Sequence, residues 1–329
     1  MSDSPHVAVI IPCYGVAAEI VEVVRSVPAI VDTIIAVDDA SSDGTGAVLR
    51  GIDDPRLVVL THDRNRGVGG AMISGYHEAL ERNADICVKI DGDGQMPIAH
   101  LGRLLAPILE GRADFTKGNR FHHTGALRSM PSVRLIGNGG LSFLNKLVSG
   151  YWSVFDPTNG YTAIRSDVLR QIGLRHVSRG YFFETSMLAE LNIVGATVRD
   201  VAIPARYGDE RSGLRAGRVL VSFPFLMVRT LCRRFFWRYM IRDFNVLTLC
   251  VLSGVPLLSF GVIFGAYRWW LSYTTGVPAT AGTTLVAALP VILGYLSLLV
   301  AAVIDMLSEP GRPAGGPDVD IAGNIDVDG

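Results

Sequence analysis

The chain has few cysteines. There are four in 329 residues, none in a CxxC pair, which excludes a disulfide framework or a thiolate metal site. Cys13, Cys87, Cys232 and Cys250 read as reduced, packed thiols. A net charge of only -1 excludes the strongly basic surface that nucleic-acid binding requires. Charge is scarce altogether, at 19% of residues, and Asp, Glu, Lys and Arg are absent from Phe244 to Tyr267 and again from Ala281 to Ile304. Soluble core helices rarely stay uncharged over such lengths, and each stretch exceeds the ~20 residues that cross a bilayer. The opening "MSDSPHVAVIIPC" lacks a basic n-region and a long apolar run, so no targeting signal is expected there. No internal repeat is visible, and no QxxRW sequence of a processive polysaccharide synthase occurs.

What the chain does have is alternation. "HVAVIIP", "DTIIAVDD", "RLVVLTH" and "DICVKID" are short β-branched runs separated by helical patterns such as "GGAMISGYHEALERN". Strands apolar on both faces, joined by helical crossovers, predict a mainly parallel α/β sheet covered on both sides. Ligands of such sheets gather at the carboxyl ends of the strands, where this sequence places Asp38 and Asp39 after the second run and Asp91 and Asp93 after the fourth. In "DGDGQ", Asp91, Asp93 and Gln95 alternate along a chain end with Gly92 between the carboxylates. Such oxygens suit a hard divalent cation, Mg²⁺ or Mn²⁺, although Asp-Gly pairs also make ordinary turns. The glycines of "RNRGVGGAMISG" do not follow the first strand and lack a ribose-binding acid further on, so they predict a packed helix start rather than a dinucleotide loop.

Nine arginines lie between Arg206 and Arg242, against Arg268 alone in the stretch between the two apolar runs. The positive-inside rule then puts the large domain and both termini in the cytoplasm. Arg229, Arg233, Arg238 and Arg242 recur at near-helical spacing among aromatic residues, which predicts an interfacial helix whose arginines meet anionic headgroups. The expected division is a catalytic domain over 1–215, an amphipathic interfacial segment over 216–243, two transmembrane helices over 244–306 and a disordered tail over 307–329.

The order "IIPCY", "VDDASSDGT", "DGDGQ" and "KGNRF" resembles the family 2 glycosyltransferases of the GT-A fold. With two trailing spans, the chain is similar to their polyprenyl-phosphate sugar transferases, the dolichyl-phosphate mannose synthase and bactoprenol glucosyltransferase group. The resemblance implies an inverting, metal-dependent hexosyl transfer from a nucleotide sugar to a membrane polyprenyl phosphate. It implies that Pro12, Tyr14, Val37 and Asp39 line the nucleoside pocket, that Asp91, Gly92 and Arg120 complete the nucleotide-sugar site, and that Asp91, Asp93 and Gln95 hold the metal. Arg134, Arg206 and Ser212 would meet the acceptor phosphate, and Asp156, Glu184 and Arg120 would be catalytic.

The sequence departs from the family pattern twice. Tyr14-Gly15-Val16 lacks the acidic residue usual there, and Gly213 stands where a lysine commonly follows the serine. Three alternatives remain open: a sugar-hydroxyl acceptor on a lipid-linked glycan with Glu184 or Asp156 as base, Glu184 as a plain helix-start carboxylate, and a catalytically silent membrane scaffold. The state of assembly, monomer or homo-oligomer, is not fixed by these features.

Overall fold

The computed structural model describes residues 4–119, 132–155, 159–204 and 216–311, with the side chains of 132–139 and 216–222 outside the description. All four runs anticipated as strands are present: β1 (Val7–Cys13), β2 (Thr33–Asp38), β3 (Leu57–Thr61) and β4 (Ile86–Lys89). With β5 (Phe115–Asn119), β6 (Thr162–Arg165) and β7 (Val198–Ala202) they form a seven-stranded sheet of order β3-β2-β1-β4-β6-β5-β7. β3, β2, β1 and β4 are parallel, β6 runs antiparallel between β4 and β5, and β7 is parallel to β5.

Strand alternation sends side chains to two cores. Val7, Val9 and Ile11 face helices α1 (Ile20–Ser26), α2 (Thr45–Arg50) and α4 (Leu101–Leu109). Ala8, Ile10, Ile35 and Val37 face α3 (Val68–Glu81), α6 (Ser166–Gln171) and α7 (Phe183–Val194). At roughly 25 cal/mol per Å² of apolar area, these two layers supply most of the drive to fold the domain.

Because β4 returns to the side of β1 opposite β2, the strand order reverses between them. The carboxyl ends of β1 and β4 therefore diverge into a crevice, the usual ligand position in an open α/β sheet.

α5 (Ser132–Ser149) and α8 (Ala216–Phe235) pack beside α7, and a single π-helical stretch, Phe236–Arg242, leads to α9 (Val246–Thr275) and α10 (Ala281–Leu307). The last two, of 30 and 27 residues, are long and apolar enough to cross a membrane. They pack closely where a Cβ on Gly254 would stand 3.1 Å from the Gly294 carbonyl oxygen. α9 continues beyond Tyr267 because nothing interrupts it before Gly276, whose φ of +67° closes the helix.

Of the four arginines anticipated as a lipid-facing row, Arg229 is exposed, whereas Arg233, Arg238 and Arg242 make contacts within the protein. Arg233 Nε donates to Glu190 at 2.6 Å, and Arg238 Nη1 donates to the Asn192 carbonyl at 3.1 Å. Arg242 donates to the Ile193 carbonyl, and Arg234 is buried. Three of these arginines thus occupy the last turn and carboxyl end of α7, where helix carbonyls lack partners and the dipole favours cations. Aromatic side chains instead face outward: Phe236, Trp237 and Phe244 are all exposed. The chain also stays ordered past the expected start of the tail, since Glu309 is buried against the catalytic domain.

Candidate active site

A cleft of about 700 Å³ opens at the carboxyl ends of β1 and β4. Pro12 and Tyr14 come from the end of β1, Asp39 follows β2, Asn65 and Gly67 precede α3, and Asp91, Gly92 and Asp93 follow β4. Glu184 reaches in from the first turn of α7. The opposite wall is apolar: Leu141 of α5, Tyr181 before α7 and Phe223 of α8.

Asp39 is fixed from three directions. Its Oδ1 accepts from His62 Nδ1 at 2.7 Å and from the Arg66 amide at 2.8 Å, and its Oδ2 accepts from the Gly67 amide at 2.7 Å. His62 Nε2 lies 2.8 Å from Ser74 Oγ, which orients the ring. Gly67 adopts φ +78°, and a Cβ there would stand 2.5 Å from the Arg179 carbonyl oxygen. The amides of Gly69 and Gly70 donate to that same oxygen, so the start of α3 is capped by protein rather than offered to a pyrophosphate. Asp38 turns away from the cleft, its Oδ1 accepting from the Ser41 amide at 3.0 Å. Cys13, beside it, is buried, and burial pushes its thiol up to about 12.

Lys89 is the residue that motif reading passed over. It is 2% exposed at the end of β4, and its Nζ donates to Asp91 Oδ1 at 2.7 Å and to Glu184 Oε1 at 3.4 Å. Burial opposes its charge, yet the two carboxylates outweigh burial and hold the ammonium above its ordinary value. A Cβ on Gly160 would strike Lys89 Nζ and Asp91 Oδ2, so a larger residue there would have to displace the ends of this pair. The signal was present in "DICVKID": a lysine within an otherwise buried strand requires a carboxylate partner.

Asp93 stands at the lip with an exposed side chain. Its carboxyl is raised above the ordinary range, first by loss of hydration and then, after a backbone hydrogen bond that lowers it, by the Asp91 charge. Asp91 and Asp93 line one cleft, and the mutual charge that raises Asp93 is what a divalent cation relieves, so the pair fits such an ion. Gln95 is not part of the lining; its backbone N–H donates to Asp93 Oδ1 at 3.1 Å. Among the described residues, no group of three or more His, Cys, Asp and Glu side chains gathers as a metal cluster.

The other anticipated residues divide clearly. Pro12, Tyr14, Asp39, Asp91, Gly92 and Glu184 are brought together. Val37 is not: it pairs with Pro12 across the sheet, but the pleat turns its side chain into the core. Arg120, Asp156, Arg206 and Ser212 lie outside the described residues, and Arg134 is placed only by its backbone in α5.

A sheet-end cleft with acidic groups on one wall, at the switch point of a mixed sheet, defines the ligand site of an open α/β protein. The chain belongs to glycosyl transferase family 2, whose model matches residues 8–173. It is 35% identical over 173 residues to an undecaprenyl-phosphate mannosyltransferase of Micrococcus luteus, covering 52% of this chain and 70% of the relative. It is 29% identical over 208 residues to a UDP-N-acetylglucosamine–dolichyl-phosphate N-acetylglucosaminyltransferase of Methanococcus voltae, covering 58% and 81%. A glucosyl-3-phosphoglycerate synthase of Mycobacterium tuberculosis, crystallised with Mn²⁺, UDP-glucose and phosphoglyceric acid, shares the fold at a TM-score of 0.50 and 20% identity, covering 70% of this chain and 79% of its own.

Proposed function

We propose that the protein transfers a sugar, with inversion, from a nucleotide-sugar donor to a membrane polyprenyl phosphate. The observation that carries this reading is the two-sided cleft. Carboxylates and a buried lysine line the sheet side, while Leu141 of α5, Tyr181 before α7 and Phe223 of α8, the helix that leads to α9, line the opposite side. An amphiphilic acceptor, with an anionic head and an isoprenoid chain, matches that division. The naming of the Micrococcus and Methanococcus relatives for undecaprenyl and dolichyl phosphates supports it.

In this reading Pro12, Tyr14 and Asp39 hold the nucleoside. A phosphate monoester with a second pKa of ~6 is mostly dianionic near neutral pH and needs no strong base. One of its oxygens attacks the anomeric carbon from the face opposite the leaving group. The bond from that carbon to the nucleoside diphosphate breaks, and its electron pair stays on the departing phosphate oxygen. Mg²⁺ or Mn²⁺ held by Asp91 and Asp93, with Gln95 as the motif suggests, would offset the charge of that diphosphate. Arg120 is assigned to the diphosphate, and Arg134, Arg206 and Ser212 to the acceptor phosphate. Glu184, tied to Lys89, then serves as a charge partner, and Asp156 as an active-site turn residue.

The membrane reading rests on α9 and α10 with aromatic residues at two levels. Trp237 and Phe244 lie at one end of α9, and Trp269, Trp270 and Tyr273 are exposed ~35 Å further along it. The catalytic domain is assigned to the cytoplasm from the arginine asymmetry. In an Ala279→Cys variant that also carries Cys232→Ser and Cys250→Ser, an impermeant thiol reagent should label intact cells. Cys13 and Cys87 stay silent in that experiment because burial holds their thiols at about 12 and about 11. Labelling only after lysis would reverse the orientation.

The functional test incubates purified protein in detergent with labelled nucleotide sugars, undecaprenyl phosphate and Mn²⁺. The expected product is a lipid-linked sugar phosphate. Transfer only to a glycan hydroxyl, or donor binding without turnover, would replace this reading with the glycan or scaffold alternative.

A further inference from the structure

Two buried carboxylates lie at and just beyond the end of α10, Asp305 at 5% exposure and Glu309 at 6%. Burying a carboxylate is costly unless its lone pairs are satisfied, and both find partners in the catalytic domain. Asp305 Oδ2 accepts from Trp152 Nε1 at 3.1 Å, while Arg234 and Tyr239 bind the same carboxylate from the helix side. Glu309 accepts from the consecutive amides of Trp152 at 3.1 Å and Ser153 at 3.0 Å, and from Ser153 Oγ. Two successive backbone N–H groups outside any sheet are a natural anion receptor, and here the anion comes from the far end of the chain. These contacts join the part of the chain that matches the family model to a part beyond its limit at residue 173.

The clamped dipeptide leads in both directions to the reaction site. Trp152 packs edge-on to Phe143 of α5, at 5.7 Å between ring centroids, on the helix that contributes Leu141 to the apolar wall of the cleft. Seven residues after Trp152, Asn159 donates to the Gly118 carbonyl at 2.6 Å, and the next residue is Gly160, against Lys89 and Asp91.

The geometry points to Asp305 and Glu309 as positioning residues of the transfer reaction: acting through Trp152 and Ser153, they hold the acceptor side of the cleft in register with the helical hairpin. The inference rests on the proposed polyprenyl-phosphate reading. It assigns these carboxylates to acceptor use and not to nucleoside binding, because Asp39, Asn65 and Gly67 lie away from the segment that Trp152 and Ser153 anchor.

The test uses the full chain in detergent with Glu309→Gln, Glu309→Asp and Trp152→Phe. Glutamine keeps the size of the side chain but removes its charge and leaves one acceptor oxygen for the Trp152 and Ser153 amides, with NH₂ in place of the oxygen that faces Ser153 Oγ, whereas aspartate preserves the charge and both acceptor oxygens on a shorter side chain. For Glu309→Gln, kcat/KM for undecaprenyl phosphate should fall by about 10- to 100-fold, as expected for displaced positioning groups, with a smaller change in donor KM. Glu309→Asp should recover part of the loss, and Trp152→Phe should show a smaller loss with the same pattern. Hydrogen exchange at the Asn159 and Tyr161 amides should accelerate in Glu309→Gln while β1 stays protected. Unaltered exchange at those amides, unaltered acceptor kinetics, or an equal loss of donor affinity would overturn the inference. If the wild-type chain turns over no polyprenyl phosphate, the proposed function fails, and the exchange measurement alone still decides whether α10 positions this segment.

Discussion

Two of the cations that the protein buries, Arg234 and Lys89, differ in how completely they are neutralised. Arg234, 3% exposed at the joint between the catalytic domain and the hairpin, meets one carboxylate through both terminal nitrogens, at 2.7 and 3.0 Å from Asp305. It also donates to the Leu147 carbonyl at 2.9 Å. The Asp305 carboxylate is filled further by Tyr239 and Trp152. Lys89, equally buried, serves two carboxylates, and one of them, Asp91, is 36% exposed along the cleft with Asp93 nearby. The first cluster is balanced and closed; the second carries excess negative charge and opens to solvent. A closed pair contributes geometry, because its charges are already matched even though Arg234 Nε is buried without a partner, whereas an open, under-neutralised set retains capacity for a ligand.

Breaking the closed cluster should have the largest effect. Arg234→Met leaves Asp305 buried without its counter-charge and should cost about 3–5 kcal/mol, read as a lowered unfolding midpoint in detergent. The Arg234→Met/Asp305→Leu double variant should recover most of it, since neither charge then remains. Breaking the open cluster should act on rate instead. Asp91→Asn should lower turnover by about 10²- to 10³-fold, or ~2.7–4 kcal/mol of transition-state stabilisation, with little change in midpoint. Equal losses of stability in the two clusters would erase the distinction drawn between them.

Gly160→Ala sharpens the comparison at lower amplitude. The added methyl would collide with Lys89 Nζ and Asp91 Oδ2, so a cost of about 1–3 kcal/mol in stability is expected together with reduced turnover. The smallest effect belongs to Glu184→Gln. If the acceptor is a phosphate, kcat should fall less than about tenfold, and its pH profile should follow acceptor ionisation near ~6. A loss of about 10²- to 10⁴-fold would make Glu184 the base of a hydroxyl-directed reaction.

Much of this was legible in the chain itself, wherever the controlling interaction is local. The β-branched runs before Asp39 and before Asp91 specify strands whose ends carry carboxylates, because alternation and turn chemistry act between near neighbours. The uncharged stretches that become α9 and α10 needed no partner to be recognised, since length and apolarity alone suit them to a bilayer. Tertiary structure decided whatever depends on partners distant in sequence. The family resemblance implied that Val37 lies beside the nucleoside, and the pleat turned it into the core. Spacing also aimed Arg233, Arg238 and Arg242 at lipid, and the unpaired carbonyls and Glu190 at the end of α7 claimed them. Lys89 acquired its meaning from Glu184, 95 residues away, and Trp152 from Glu309, 157 residues away. A buried charge takes whichever counter-charge the fold delivers, and that delivery is set by the packing of whole elements, which no local pattern encodes.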